Sequence, residues 1–160
     1  MKRLVYLFVT MVLAATAAGP LMGQGNPFVG TWKLNVAKSK YEGTPAPKSL
    51  TRTVTAEGGA LKYSFEGEAA DGSKISYGFT TKLDGSDSPV SGVGMTGGAD
   101  VVALTKVSAH KISAVTKKGG KKVGTALVDI SMDGKTVTVK TSGKTEDGKE
   151  VKTEQVYDKQ

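Results

Sequence analysis

After residue 48 nearly every segment of the chain alternates apolar and polar side chains, and nearly every break in that alternation carries glycine. Leu61, Tyr63 and Phe65 fall on one side of Lys62, Ser64 and Glu66; Ile75, Tyr77, Phe79, Thr81 and Leu83 repeat the pattern against Lys74, Ser76, Thr80 and Lys82. A period of two belongs to a pleated strand with one face buried. The breaks hold Asp-Gly pairs at Asp71, Asp84, Asp133 and Asp147 and Gly-Gly pairs at Gly58 and Gly119, which are hairpin signals.

The same pattern sets the pairing, because a one-residue slip would turn a whole apolar face to water. Around Asp71 the apolar positions are odd-numbered on both sides, so the loop must hold an odd number of residues. Ala70-Asp71-Gly72, a type I turn with Gly72 left-handed, then pairs Phe65 with Tyr77 and Tyr63 with Phe79. Around Asp133 the apolar positions change from even (Ala126, Val128, Ile130, Met132) to odd (Val137, Val139). A two-residue Asp133-Gly134 turn therefore pairs Ile130 with Val137 and Val128 with Val139. At Asp147 a three-residue loop sets Val137 near Tyr157 and Val139 near Gln155.

Strands are expected near residues 29–34, 49–56, 60–69, 73–83, 99–107, 110–117, 121–132, 135–143 and 149–157, with a short one at 88–91. Sequential hairpins of this length form an all-β antiparallel up-and-down meander, which removes its edges by closing into a barrel of 8 to 10 strands. The alternative, a β-sandwich, needs longer crossing connections. Only residues 35–48 and 86–98 could supply one, and the second of these reads as a glycine-rich loop over a barrel mouth.

Of the 160 residues, 1–23 read as a signal peptide, with cleavage between residues 17 and 24, leaving 24–160 as one barrel domain. Lys2 and Arg3 precede an apolar run from Leu4 to Ala15, and small residues follow at Ala17 and Ala18. Gly19 and Pro20 interrupt the run short of the ~20 residues that a membrane span requires. A periplasmic or secreted location follows. Cysteine is absent, so neither a disulfide framework nor a thiolate site can be built. Beyond the signal segment Arg52 is the single arginine among 20 basic residues. Base and phosphate recognition relies on the guanidinium fork, so a lysine surface argues against a nucleic-acid partner.

No catalytic constellation, metal site or cofactor emerges from the remaining motifs. Gly92-Val93-Gly94-Met95-Thr96-Gly97 has dinucleotide-loop spacing, but a strand rather than a helix is expected after it. Ser108-Ala109-His110-Lys111 has the spacing of an acyl-transfer motif that belongs at a helix start, and here it falls on a hairpin. His110, the only histidine, reads as a surface residue with no second histidine or cysteine to join it. Glu66 and Glu68, Asp84 and Asp87, and Asp129 are the carboxylates to consider, and turn aspartates serve the backbone. Lys117, Lys118, Lys121 and Lys122 crowd one hairpin tip, where they could touch an anionic envelope surface.

Gly30-Thr31-Trp32 opens the meander with the only tryptophan, and this resembles the G-x-W signature of the lipocalins and the wider calycin group. The longer run Gly30-Thr31-Trp32-Lys33-Leu34-Asn35, with Lys38-Ser39-Lys40 and later Asp84, Gly85, Pro89, Val90 and Gly92, is similar to small exported bacterial proteins of no assigned activity. The resemblance implies a barrel whose Trp32 plugs the closed end, with Gly30 beside it, while the open end admits a small apolar ligand. A late arginine packs over this tryptophan in lipocalins. With no arginine after Arg52, that place falls to Lys152 or Lys159.

The function expected is therefore non-catalytic binding of a small apolar or amphipathic ligand, with Tyr63, Phe65, Tyr77 and Phe79 lining the interior. The alternative is a filled barrel that acts as a structural or interaction protein of the envelope through its lysine tip. The interior separates the two, since ligand pockets begin at about 300 Å³.

Overall fold

The computed structural model describes residues 25–160; the expected signal peptide lies outside them. Twelve strands form one antiparallel sheet: β1 (Gly30–Leu34), β2 (Lys40–Glu42), β3 (Ser49–Glu57), β4 (Ala60–Glu68), β5 (Lys74–Thr81), β6 (Asp84–Pro89), β7 (Ser91–Val93), β8 (Val101–Ser108), β9 (Lys111–Lys118), β10 (Lys121–Ile130), β11 (Thr136–Lys144) and β12 (Glu150–Lys159). The order is β6-β8-β9-β10-β11-β12-β1-β3-β4-β5-β7, with β2 beside β12.

The path begins and ends on one stretch of chain. β6 pairs with β8, setting Ser88 opposite Val102, and β7 pairs with β5, setting Gly92 opposite Tyr77. Only Val90 separates them, so the run Asp84–Val93 bridges both ends of the sheet and nearly closes a barrel. Pro89, which has no N–H to donate, sits where the run changes partner. Gly92 allows the close approach to β5, because a β-carbon there would fall 2.1 Å from the Ser76 carbonyl oxygen.

β1 and β2 behave likewise. Both run along β12, Trp32 opposite Lys159 and Tyr41 opposite Thr153, with one 3-10 turn at Val36–Lys38 between them. Counting each broken strand once, the twelve strands fill ten places around the barrel. The β-sandwich is set aside.

The hairpin registers fall where the alternation places them. Tyr63 faces Phe79 and Phe65 faces Tyr77; Ile130 faces Val137 and Val128 faces Val139; Val137 faces Tyr157 and Val139 faces Gln155. Three local expectations are corrected. The strand expected to reach residue 83 ends at Thr81, because Leu83 turns left-handed at φ 61° and leads into β6. The turn at Asp133 is wider than two residues: Gly134 N–H donates to the Ser131 carbonyl, and Met132 is thrust into solvent. The 86–98 stretch is not simply a loop, since it carries most of β6, all of β7 and a 3-10 turn at Thr96–Gly98.

The core is the inward face of these strands. Phe28, Trp32, Val54, Ile112, Val137 and Tyr157 are almost wholly buried. Trp32 Nε1 donates to the Phe28 carbonyl oxygen at 3.1 Å, so its one polar atom is satisfied inside the core.

Candidate functional site

The barrel encloses a cavity of about 140 Å³, and Tyr63, Phe65, Tyr77 and Phe79 all stand in its wall. The cross-strand register of β4 and β5 stacks these rings, Tyr63 on Phe79 with centroids 4.9 Å apart and Phe65 on Tyr77 at 4.5 Å. Phe65 and Phe79 complete the ladder diagonally at 6.2 Å. Val102, Leu104, Ala114, Val128 and Val139 supply aliphatic surface opposite. Neither Phe28 nor Trp32 reaches the cavity wall.

This cavity adjoins a second, more polar space of about 360 Å³, and Tyr77, Thr96, Thr141 and Gln155 belong to both walls. Tyr41, Pro45, Pro47 and the Asp71 turn rim the second space, and the strap Gly94–Gly97 crosses between the two. The inner cavity alone is below the ~300 Å³ at which ligand pockets begin, whereas the outer space exceeds it. Inner cavity and vestibule together give the barrel an apolar interior with a more polar mouth.

Two cations belong to the inner wall, Lys144 with an exposed side chain and Arg52 with a buried one. Arg52 is 2 % exposed, lies in the inner cavity wall, and holds its Cζ 5.1 Å from the centroid of the Tyr63 ring. Its Nε and the Tyr63 hydroxyl are both buried without a hydrogen-bond partner. The inner wall contains no carboxylate, and Arg52 takes part in none of the ion pairs among the described residues. Burial raises the phenols of Tyr63, Tyr77 and Tyr157 above their ordinary range, and the Arg52 charge pulls each back toward it. Tyr157 spends its hydroxyl on Gln155 Oε1 at 3.0 Å.

The inward position of Arg52 is legible in the sequence. Leu50-Thr51-Arg52-Thr53-Val54 alternates, and the arginine occupies the apolar row. Tyr157 was visible the same way, as the cross-strand partner of Val137.

The other candidates have ordinary surroundings. Lys117 pairs with Asp87 at 2.7 Å and Lys118 with Glu146, which leaves Lys121 and Lys122 as the exposed pair of the tip that lack such partners among the described residues. Glu66 accepts from Ser76, Glu68 meets Lys48, and Asp129 meets Lys111. The Gly92–Gly97 segment leads into β8 rather than a helix, and its Met95 and Thr96 line the inner cavity. His110 departs from the surface position expected of it: it is half-buried in the β8–β9 turn, and its Nδ1 is buried without a hydrogen-bond partner. Among the described residues no cluster of three or more His, Cys, Asp or Glu could hold a metal ion, and no helix is long and apolar enough to cross a membrane.

The fold is that of a nearly closed, antiparallel β-barrel. Among solved structures the chain is similar to zebrafish ileal bile acid-binding protein complexed with cholic acid, at 13 % identity over 84 % of this chain and 99 % of that one, TM-score 0.50. It is also similar to mFAP1, a redesigned β-barrel bound to DFHBI, at 13 % identity over 83 % of this chain and 95 % of that one, TM-score 0.43. At such identity the first likeness is one of architecture. No protein-family model matches the sequence, and no curated protein matches it.

Proposed function

We propose that this chain is an exported, lipocalin-like barrel that holds a small apolar or amphipathic ligand in its interior and performs no chemistry on it. The observation that carries the reading is the aromatic-walled cavity continuing into a mouth space, an apolar interior with few polar groups of the kind ligand sites use. The support for export, and with it for a periplasmic or secreted location, is the charge, apolar and small-residue layout of the first 23 residues. Docking on an anionic envelope surface has less support, because two of the four tip lysines already face acids.

Titrating the mature chain with a neutral, environment-sensitive naphthylamine probe tests the reading. Saturable binding at micromolar concentration supports it. An unchanged probe spectrum overturns it. Cell fractionation with N-terminal sequencing tests export, and a product that still begins at Met1 in the cytoplasm removes that part.

A further inference from the structure

We infer that the ligand is an anionic amphiphile, an apolar body bearing one oxyanion group that pairs with Arg52 inside the barrel, so that it binds head-in. The inference rests on the ligand-binding reading above and adds the charge and orientation of the ligand.

A guanidinium keeps its charge at any ordinary pH, and a buried charge is costly unless an opposite charge or hydrogen bonds meet it. Here the protein supplies neither to Nε, and the inner cavity wall offers no acid. The ring of Tyr63 gives partial compensation through its π face. That leaves the guanidinium fork, whose geometry matches an oxyanion, beside a second unpartnered polar atom, the Tyr63 hydroxyl. Leucine or valine at position 52 would continue the apolar row of Leu50 and Val54 without that cost.

Orientation follows from register. Arg52 lies directly across from Trp32, toward the plugged end, whereas Leu50 stands in the vestibule wall, toward the mouth. An anion seated on Arg52 therefore occupies the small inner cavity with the start of the apolar body, and the rest extends into the larger vestibule. The one carboxylate in the vestibule wall, Asp71, is bound by Ser73 N–H and Oγ at the rim.

The test displaces the neutral naphthylamine probe from the mature chain with decanoate, decyl sulfate, decanol, decyltrimethylammonium and acetate. Decanoate and decyl sulfate are expected to displace it at roughly 10- to 100-fold lower concentration than decanol, the range of a charged hydrogen bond. Arg52→Met should erase that preference while leaving decanol displacement intact, and Arg52→Lys should keep part of it. Equal displacement by decanoate and decanol overturns the inference and leaves the ligand-binding reading standing; so does a preference that survives Arg52→Met. Displacement by acetate as effective as by decanoate also overturns it, since the site would then take a small anion without an apolar body. Failure of the probe and of every ligand to bind overturns the ligand-binding reading itself. Should Arg52→Met fail to fold, Arg52→Lys and the melting temperature of the wild type decide: decanoate must raise it and decanol raise it less.

Discussion

Lys159 lies across the indole of Trp32 with Nζ 5.0 Å from the ring centroid, and Gly30 makes room for it: a β-carbon at position 30 would fall 3.2 Å from Lys159 Cε. Gly30 also adopts φ 142°, which side chains rarely tolerate. Trp32→Ala should therefore cost about 3–5 kcal/mol of unfolding free energy, the range for truncating a buried large aromatic. Lys159→Ala removes a cation–π contact at the surface and should cost about 0.5–1 kcal/mol. Urea unfolding followed by far-ultraviolet circular dichroism measures both. Because Trp32 does not line the cavity, probe affinity of the folded Trp32→Ala protein should stay close to that of the wild type.

The break between β1 and β2 is held by Asn35. Its Oδ1 accepts from Lys38 N–H at 3.2 Å and its Nδ2 donates to Asp158 Oδ2 at 2.7 Å. Ser39 Oγ donates to the Asn35 carbonyl and accepts from Val156 N–H, binding the same turn to β12. Asn35, Lys38 and Ser39 thus account physically for part of the Gly30–Asn35 and Lys38–Lys40 runs. Asn35→Ala should destabilise the barrel by about 1–2 kcal/mol, the loss of a cap and a charge-assisted bond. An unchanged urea midpoint would show that the bracket is replaceable by water.

The titrating groups bound a pH plateau. Hydrogen bonds from Asn35 and Lys38 hold the Asp158 carboxyl below its ordinary range, and Ser or Thr hydroxyls with backbone N–H groups do the same for Asp71, Asp84, Asp133 and Asp147. Their folded-state values are depressed. Their contribution is thus present above the unfolded value of about 4 and is lost as pH falls through the lower folded values. Tyr63, Tyr77 and Tyr157 are raised by burial, so their contribution is full below about pH 10 and is lost as pH climbs toward the folded values. Thermal unfolding should give a flat melting temperature between these limits and a fall on either side.

What could be read from the sequence, and what could not, follows from how each element is stabilised. Tyr63, Phe65, Tyr77 and Phe79 announce their pairing because each strand buries one face, and burial writes a period of two into the residues. Asp84 to Val93 has no such period. Its residues are mostly polar and small, and they become strand because β8 and β5 offer hydrogen bonds to either half. Lys40–Glu42 is strand for the same reason, along β12. Arg52 is only half legible as a site residue, because charge argues for the surface and its place between Leu50 and Val54 alone argues for the interior.

The strap over the interior gives the last prediction. Gly97 adopts φ 70°, and a β-carbon on it would sit 2.7 Å from the Lys144 carbonyl oxygen. Gly97→Ala must therefore push the strap away from Lys144, and Met95 and Thr96, which stand in the inner cavity wall, move with it. On the ligand-binding reading, the bound probe should dissociate at least about threefold faster, as expected when a closing segment is displaced. Gly119→Ala is the control. That glycine has φ 54° but nothing within 4 Å of the added carbon, so the variant carries similar backbone strain at the opposite kind of place, an open turn tip. Stopped-flow dilution of the probe complex separates the two: acceleration in Gly97→Ala with no change in Gly119→Ala assigns the effect to the strap, whereas equal rates would mean that ligand leaves by another route through the wall.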